Sequence, residues 1–569
     1  MARARSRWPD LEIRDFSAGM IDKVDDNLLP ENAARDCRNF ICRTLGILDK
    51  RPGQARLNAT ELAGPPHGLY AYYNGASIKK LLVAADTKLL VWNPTTSAFD
   101  DLRTGLDPSA LVTFETCANY AVGMNGVSAP FKWSGTGDTS VLAGAPATGR
   151  YPVLFKEKLF CVPGDNRSQI WWSESFAPES WPAINYWGIG EGDGDEISCL
   201  NVFQGRLVIF KTRSTHLFGG TSLADFWSDT MDQQIGCVGP LAAAQLGNKL
   251  YFVSREGLYY FNGMSNVSIS ANSIPLLWND IDEKHLGNAC VTAWDDLVWF
   301  SLPLRNQLTL TVETGCTTNG DLTIRLGGVE KTLSLTTADD DKYKVANKIK
   351  GLVFDGWTTE ILVGSFMSFT RDGLSQPLQL TLDAGVTGVT ATIAKTEQTT
   401  NNLVLVHDPV NGGKFWPMSG INASCFQAFN DGTRLVLYSG DSLTGYVNRQ
   451  DIGTEDFGEP VSAYWVGKGY DAKMPDHLKK AKKAFIEDYP NQDTPATLKI
   501  SLDYGDFHEW TYKQDDDLVR EYRIPSEYKK RWRYLTPRFS HSSAGACQIR
   551  GLTIPYKPKP KPKGRTAIR

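Results

Sequence analysis

Apolar and polar positions alternate in short bursts along most of the chain. Between residues 196 and 263 the same burst pattern is written twice. EISCLNVFQGRLVIFKTRSTHLFGG is followed by LAAAQLGNKLYFVSREGLYYFNG. Each copy runs through a short apolar strand, a polar turn (Gln204-Gly205, then Gly247-Asn248), a β-rich strand, a second turn and a strand ending in aromatics. Runs of four to six β-branched and aromatic residues punctuated by Gly, Asn and Ser predict antiparallel strands. Related phrases recur at Lys79–Trp92, Ala118–Trp133, Glu157–Trp172, from Asp295 and from Thr433. With Leu81, Tyr120, Leu159, Leu207, Leu250, Leu297 and Leu435 as equivalent points, the spacings are 39, 39, 48, 43, 47 and 138. Removing an insertion of roughly 97 residues reduces the last spacing to 41, within the range of a four-stranded propeller blade.

The predicted fold is therefore all-β: a propeller of about seven blades, an inserted small β-rich module and a C-terminal antiparallel β-sandwich-like domain. A long β-sandwich with fortuitous spacing is the alternative. The expected divisions are an N-terminal arm and extended docking segment (1–60), the propeller (61–304 and 402–456), the inserted module (305–401), the C-terminal β domain (457–556) and a basic flexible tail (557–569). Residues 1–14 read as a mobile arm and Leu29–Asp36 as a short helical turn. Asp15–Gly53 has few apolar residues of its own and must lie on another part of the protein. The insertion is rich in Thr and Gly, with a polar helical stretch over Ala338–Lys350. It should hang from a blade loop by two nearby ends; a coreless loop of that length is the less usual alternative.

Composition narrows the function classes. The chain is 41 % hydrophobic and 11 % aromatic, enough to supply a core, and its net charge of −4 is small for 569 residues, which argues against a general nucleic-acid coat. Ten cysteines form no CxxC pair, and no apolar run of 18 residues or secretion signal is present in the sequence, so a reduced protein made in a cytoplasm is expected.

Candidate chemistry is sparse. Glu191, Asp193, Asp195 and Glu196 place oxygen ligands in a Gly-rich loop and form a candidate Ca²⁺ site, weighed against a solvated turn opening a blade. Asp339–Asp341 reads as a helix cap. The seven histidines form no HxH or HExxH pair, and GxSxG, Walker and strand-to-helix GxGxxG motifs are missing, so neither an enzyme nor a cofactor is expected. Trp171, Trp172, Trp181 and Trp187 suit either a core or a sugar- or protein-binding surface. The basic runs Lys479–Lys483 and Lys529–Arg533 suit subunit contacts or a solvated face better than tight DNA binding.

One stretch carries a resemblance. Phe16-Ser-Ala-Gly19, Leu29-Pro30 with its Asn-containing link, and Arg51-Pro-Gly53 resemble the N-termini of tail proteins of short-tailed bacteriophages. WSESFAPESWP (172–182), GDGDEISCL (192–200), GRLVIFKTRSTHLF (205–218) and WVGKGYDAKMPDHLKKAKKAFIE (465–487) are similar to the same group. The family is the tail nozzle, or tail tubular protein B. The resemblance implies a propeller-containing subunit, six copies of which form a ring in the virion tail through which the genome leaves. Implied partners are five further copies, the portal and adaptor of the head-to-tail connector, tail fibres or tailspikes, a needle or plug, and DNA in transit. Assembly would take place in the host cytoplasm, with no membrane span. Phe16, Met20, Leu29, Arg51, Lys479, Lys483, Arg531 and Arg533 are the candidate subunit and partner contacts. A receptor- or glycan-binding propeller at a tail tip or fibre hub is the alternative, and a polysaccharide-cleaving enzyme a third reading.

Overall fold

The computed structural model describes residues 9–374, 376–430, 432–488, 496–514, 519–524 and 531–559. Seven four-stranded antiparallel sheets follow one another from Pro66 to Arg449. Their innermost strands are Pro66–Tyr73, Thr113–Cys117, Arg150–Phe155, Ile197–Phe203, Ala243–Leu246, Cys290–Trp294 and Ala423–Asn430. Each packs against the next, and the last packs against the first, so the ring closes as a seven-bladed β-propeller. The seven equivalent positions, Leu81 to Leu435, all fall on the second strand of their blade. These strands read as continuous apolar runs because both faces are covered by neighbouring blades: Leu207–Lys211 is buried throughout. Several first hairpins turn on two left-handed residues, as at Ala118-Asn119, Lys156-Glu157 and Gln204-Gly205. That backbone matches the twist of the strands it joins.

The N-terminal segment closes the ring. Blade 7 takes three strands from Ala423–Arg449 and its outermost strand from Ala55–Arg56, with Asn448 opposite Arg56. Upstream, Asp10–Ile13, Phe40–Ile41 and Leu48–Lys50 enter one sheet of the C-terminal domain, two of them against the long strand Gln548–Pro558 and Phe40–Ile41 against Leu48–Lys50. Asp36–Arg38 enters the other sheet beside Ala463–Val466. The sandwich is thus built from both ends of the chain. The arm expected to be mobile over 1–14 is a strand from Asp10 onward, because its backbone groups pair with Leu552–Pro555. The expected helical turn over Leu29–Asp36 lies earlier, at Asp26–Leu28. Most of the basic tail, 560–569, lies outside the described residues.

The sandwich and the propeller share one apolar core. Phe16 stands edge-on to Trp465 (5.1 Å) and Phe539 (6.0 Å), and the same cluster continues through Phe415 to Trp299 and Phe252 in the blades. Burying a side chain of that size contributes about 2–3 kcal/mol. Gly19 lets the segment touch the propeller. Its φ is +66°, and a Cβ there would meet the Phe415 carbonyl oxygen at 2.8 Å.

The inserted module divides blade 6 between its second and third strands. Leu297–Leu302 and Leu403–Asp408 pair directly, with Leu302 opposite Leu403. Between them, a four-stranded and a three-stranded sheet pack with the helix Lys342–Lys350 around a separate core that includes Leu310, Ile324, Val345 and Phe369. The helix begins at Asp341, whose side chain accepts from Tyr343 N. Far from merely hanging, the module is latched to the propeller by Arg371–Asp280 (2.7 Å), Arg305–Asp282 (2.9 Å) and Lys284–Glu397 (2.9 Å).

Candidate functional site

The acidic loop sits between blades 3 and 4, and each of its carboxylates faces a different donor. Asp193 Oδ2 meets Lys211 Nζ at 2.6 Å, and that lysine is fully buried. Asp195 accepts from the Arg213 N–H at 2.9 Å and from the Thr212 hydroxyl. Glu191 accepts from Gln169 (2.6 Å) and Glu196 pairs with Arg167 (2.6 Å). Burial opposes ionisation of Asp193, but the Lys211 hydrogen bond and the Asp195 N–H outweigh it and hold its pKa below the ordinary value. Among the described residues no three His, Cys, Asp or Glu side chains converge on a metal position. In this arrangement the oxygens of the candidate residues Glu191, Asp193, Asp195 and Glu196 accept from separate protein donors, and the loop acts as a clasp that seats Lys211.

The candidate contact residues divide into two groups. Phe16, Met20, Leu29, Arg51 and Lys479 are all buried within their own chain, at 0 to 3 % exposure, and so cannot face another subunit. Arg51 donates to Asn39 Oδ1 (3.0 Å), to the Ser419 carbonyl (2.8 Å) and to both oxygens of Asp456. Lys479 belongs to a strand paired with Gln548–Pro558, with its Nζ on the Arg533 carbonyl (2.8 Å) and over the Trp532 ring. Lys483 is half-buried beside Glu521 (3.3 Å), while Arg531 and Arg533 are exposed. Lys529 and Lys530 lie outside the described residues.

The four tryptophans are mostly structural. Trp172 is 1 % exposed and stacks on Phe160 at 5.3 Å. Trp181 donates to the Pro178 carbonyl (2.6 Å), Trp187 to Ser228 (3.0 Å), and Trp171 lies 5.9 Å from the Tyr186 ring.

A further polar constellation lies where the four parts of the chain meet, and no local motif announces it. Asp36, on the N-terminal segment, accepts from Tyr464 Oη in the sandwich (3.1 Å) and from Leu374 N in the inserted module (3.0 Å). Asp22 accepts from Leu276 N and Leu277 N at the start of the short propeller helix Pro275–Trp278 (3.1 and 2.7 Å). Burial pushes its carboxyl up to about 6 against those two bonds, and the nearby Asp280 charge adds to the effect. Asp282 behaves oppositely. Burial opposes its ionisation, yet Arg305, the Gln398 N–H and His285 hold it well below the usual carboxylate range. Sequence reading missed Asp36, Asp280 and Arg371 because the partners that tie them to other parts of the chain lie 91 to 428 positions away.

No family model matches the chain, and no curated protein matches it. Among solved structures, "Kluyveromyces lactis Hsv2 complete loop 6CD" is similar at 11 % identity, covering 42 % of this chain and 71 % of that one, with a TM-score of 0.27. "Kluyveromyces lactis Hsv2" is similar at 11 % identity, covering 42 % and 72 %, with a TM-score of 0.26. At those scores the likeness carries no weight, and the propeller assignment rests on strand pairing. No helix among the described residues is long and apolar enough to cross a membrane.

Proposed function

We propose that this protein is a non-enzymatic structural subunit of a bacteriophage tail. Six copies form a ring-shaped nozzle in the virion, and the genome is ejected through its lumen. The observation that carries this reading is the place of the phrases that resemble nozzle proteins. Phe16 packs edge-on against Trp465 and Phe539 of the sandwich, Gly19 lets the segment touch blade 6, and Arg51 ties the segment to Ser419 and Asp456. A Cβ at Gly53 would lie 1.9 Å from the Glu455 carbonyl oxygen. The resembling residues therefore weld propeller and sandwich into one stiff body, which is what a wall around a pressurised conduit requires.

In this reading the protein docks beneath the portal and adaptor, with tail fibres or tailspikes and a needle or plug as further neighbours. DNA is a transient passenger. Because Phe16, Met20, Leu29, Arg51 and Lys479 are internal, intersubunit contact falls to surface groups, Arg531 and Arg533 among them. In a closed ring these contacts join two different patches on each subunit.

Sedimentation velocity tests the assembly. The expected species has about six times the 63.0 kDa chain mass, and the charge reversals Arg531→Glu and Arg533→Glu together shift it toward the monomer. A monomer at all concentrations, also in the presence of the adaptor, overturns the ring.

A further inference from the structure

The N-terminal segment, the short helix Pro275–Trp278 and the inserted module enclose a cavity of about 670 Å³, a volume typical of sites for drug-sized ligands. Arg371 belongs to its wall, and only 1 % of that side chain is exposed. Its Nη1 is committed, donating to Asp280 Oδ2 (2.7 Å) and to the Gln376 carbonyl (2.7 Å). Nε and Nη2 are buried with no acceptor. Together these two nitrogens form the side-on fork of a guanidinium, which matches a carboxylate bidentately. Lys395 lines the same wall and reaches Asp280 at 3.5 Å. The wall built by the inserted module thus holds two cations against one carboxylate.

The N-terminal wall has the opposite character. Asp22, Asp25 and Asp26 line it beside a single cation, Arg35. Asp26 Oδ1 is buried without a hydrogen-bond donor, and Arg35 Nε stands 4.0 Å away. Leu29, Leu374 and Leu378 supply apolar surface. An anion alone would satisfy Arg371 and meet the acidic wall unpaired; a cation alone would do the reverse.

We propose that this cavity binds a zwitterion of amino-acid chemistry, with its carboxylate on Nε and Nη2 of Arg371, its ammonium on Asp26 and its apolar side chain against Leu29, Leu374 and Leu378. Contact with Arg371 requires its buried Nε and Nη2 to become accessible from the cavity; Gln376, whose side chain donates to the Asp355 carbonyl at 2.9 Å, lines the same cavity. The ligand is a free amino acid or a short peptide with free ends, and the site stands independently of the nozzle reading.

Calorimetric titration of the full chain with leucine, trileucine, N-acetylleucine, leucinamide and inorganic phosphate tests this. Saturable binding of leucine or trileucine is expected, and whichever binds more tightly identifies the source. Blocking either end weakens binding by about tenfold or more, as loss of a charge-assisted hydrogen bond does. Lys395→Gln and Asp26→Asn lower the affinity by a similar factor with the melting temperature unchanged; Arg371→Lys abolishes binding, and its fold is checked by circular dichroism. No saturable heat with any probe overturns the proposal. So does equal binding of phosphate or of the blocked forms, or full affinity in both Lys395→Gln and Asp26→Asn.

Discussion

At the scale of single residues, the protein is joined by side chains that reach between its parts. Arg51 is 2 % exposed and serves Asn39, Ser419 and Asp456 together. Removing one partner of a buried ion pair strands the other. Arg51→Met is expected to cost about 3 kcal/mol, read as a lower denaturant midpoint; a change under about 0.5 kcal/mol, the size expected of an ordinary surface substitution, would contradict the joint. Asp22 makes a pH-dependent contribution. Its carboxyl titrates near 6 when folded against an ordinary 3.8, so between those values the folded state holds a proton that the unfolded chain has released. That contribution is fully present below about pH 4, fades as pH rises through 6, and is absent above. Asp22→Asn should flatten the stability profile across this window, measured by chemical denaturation from pH 4 to 7. An unchanged slope would place the titration elsewhere. These joints were illegible in the sequence. A Lys479 inside a basic run looks like a solvated charge, yet strand pairing buries it.

The elements were legible in proportion to their local regularity. Second strands such as Leu207–Lys211 announce themselves because neighbouring blades cover both faces, and the turns carry residues that tolerate positive φ, as at Gln204-Gly205. The helix Lys342–Lys350 follows its acidic cap as expected. Two of the N-terminal strands gave no such signal. Phe40–Ile41 and Ala55–Arg56 are two residues long, too short for a periodicity, and they exist only because other strands receive them. Two outcomes follow at this scale. Replacing 305–401 by a two-residue turn should leave the propeller folded, because Leu302 already faces Leu403 and the module has its own core; a retained cooperative melt by circular dichroism checks it. Deleting the chain before Leu57 should instead yield insoluble protein, since it strips strands from both sandwich sheets and from blade 7. A soluble, fully folded truncation would refute that role.

Taken whole, the molecule has an apolar cluster running from the sandwich into the propeller, and an inserted module pinned by ion pairs to the loop that follows a blade. Such a body resists hinge motion between its parts, which suits the proposed role of a ring subunit. In the proposed role, the ring is what the resemblance to nozzle proteins implies, and the fold would supply its stiffness. Class averages of the purified protein by electron microscopy, sorted by rotational symmetry, test this most directly. Closed six-fold rings with a hole wide enough for duplex DNA are the predicted result. Single subunits that form no ring with the proposed adaptor present would contradict it.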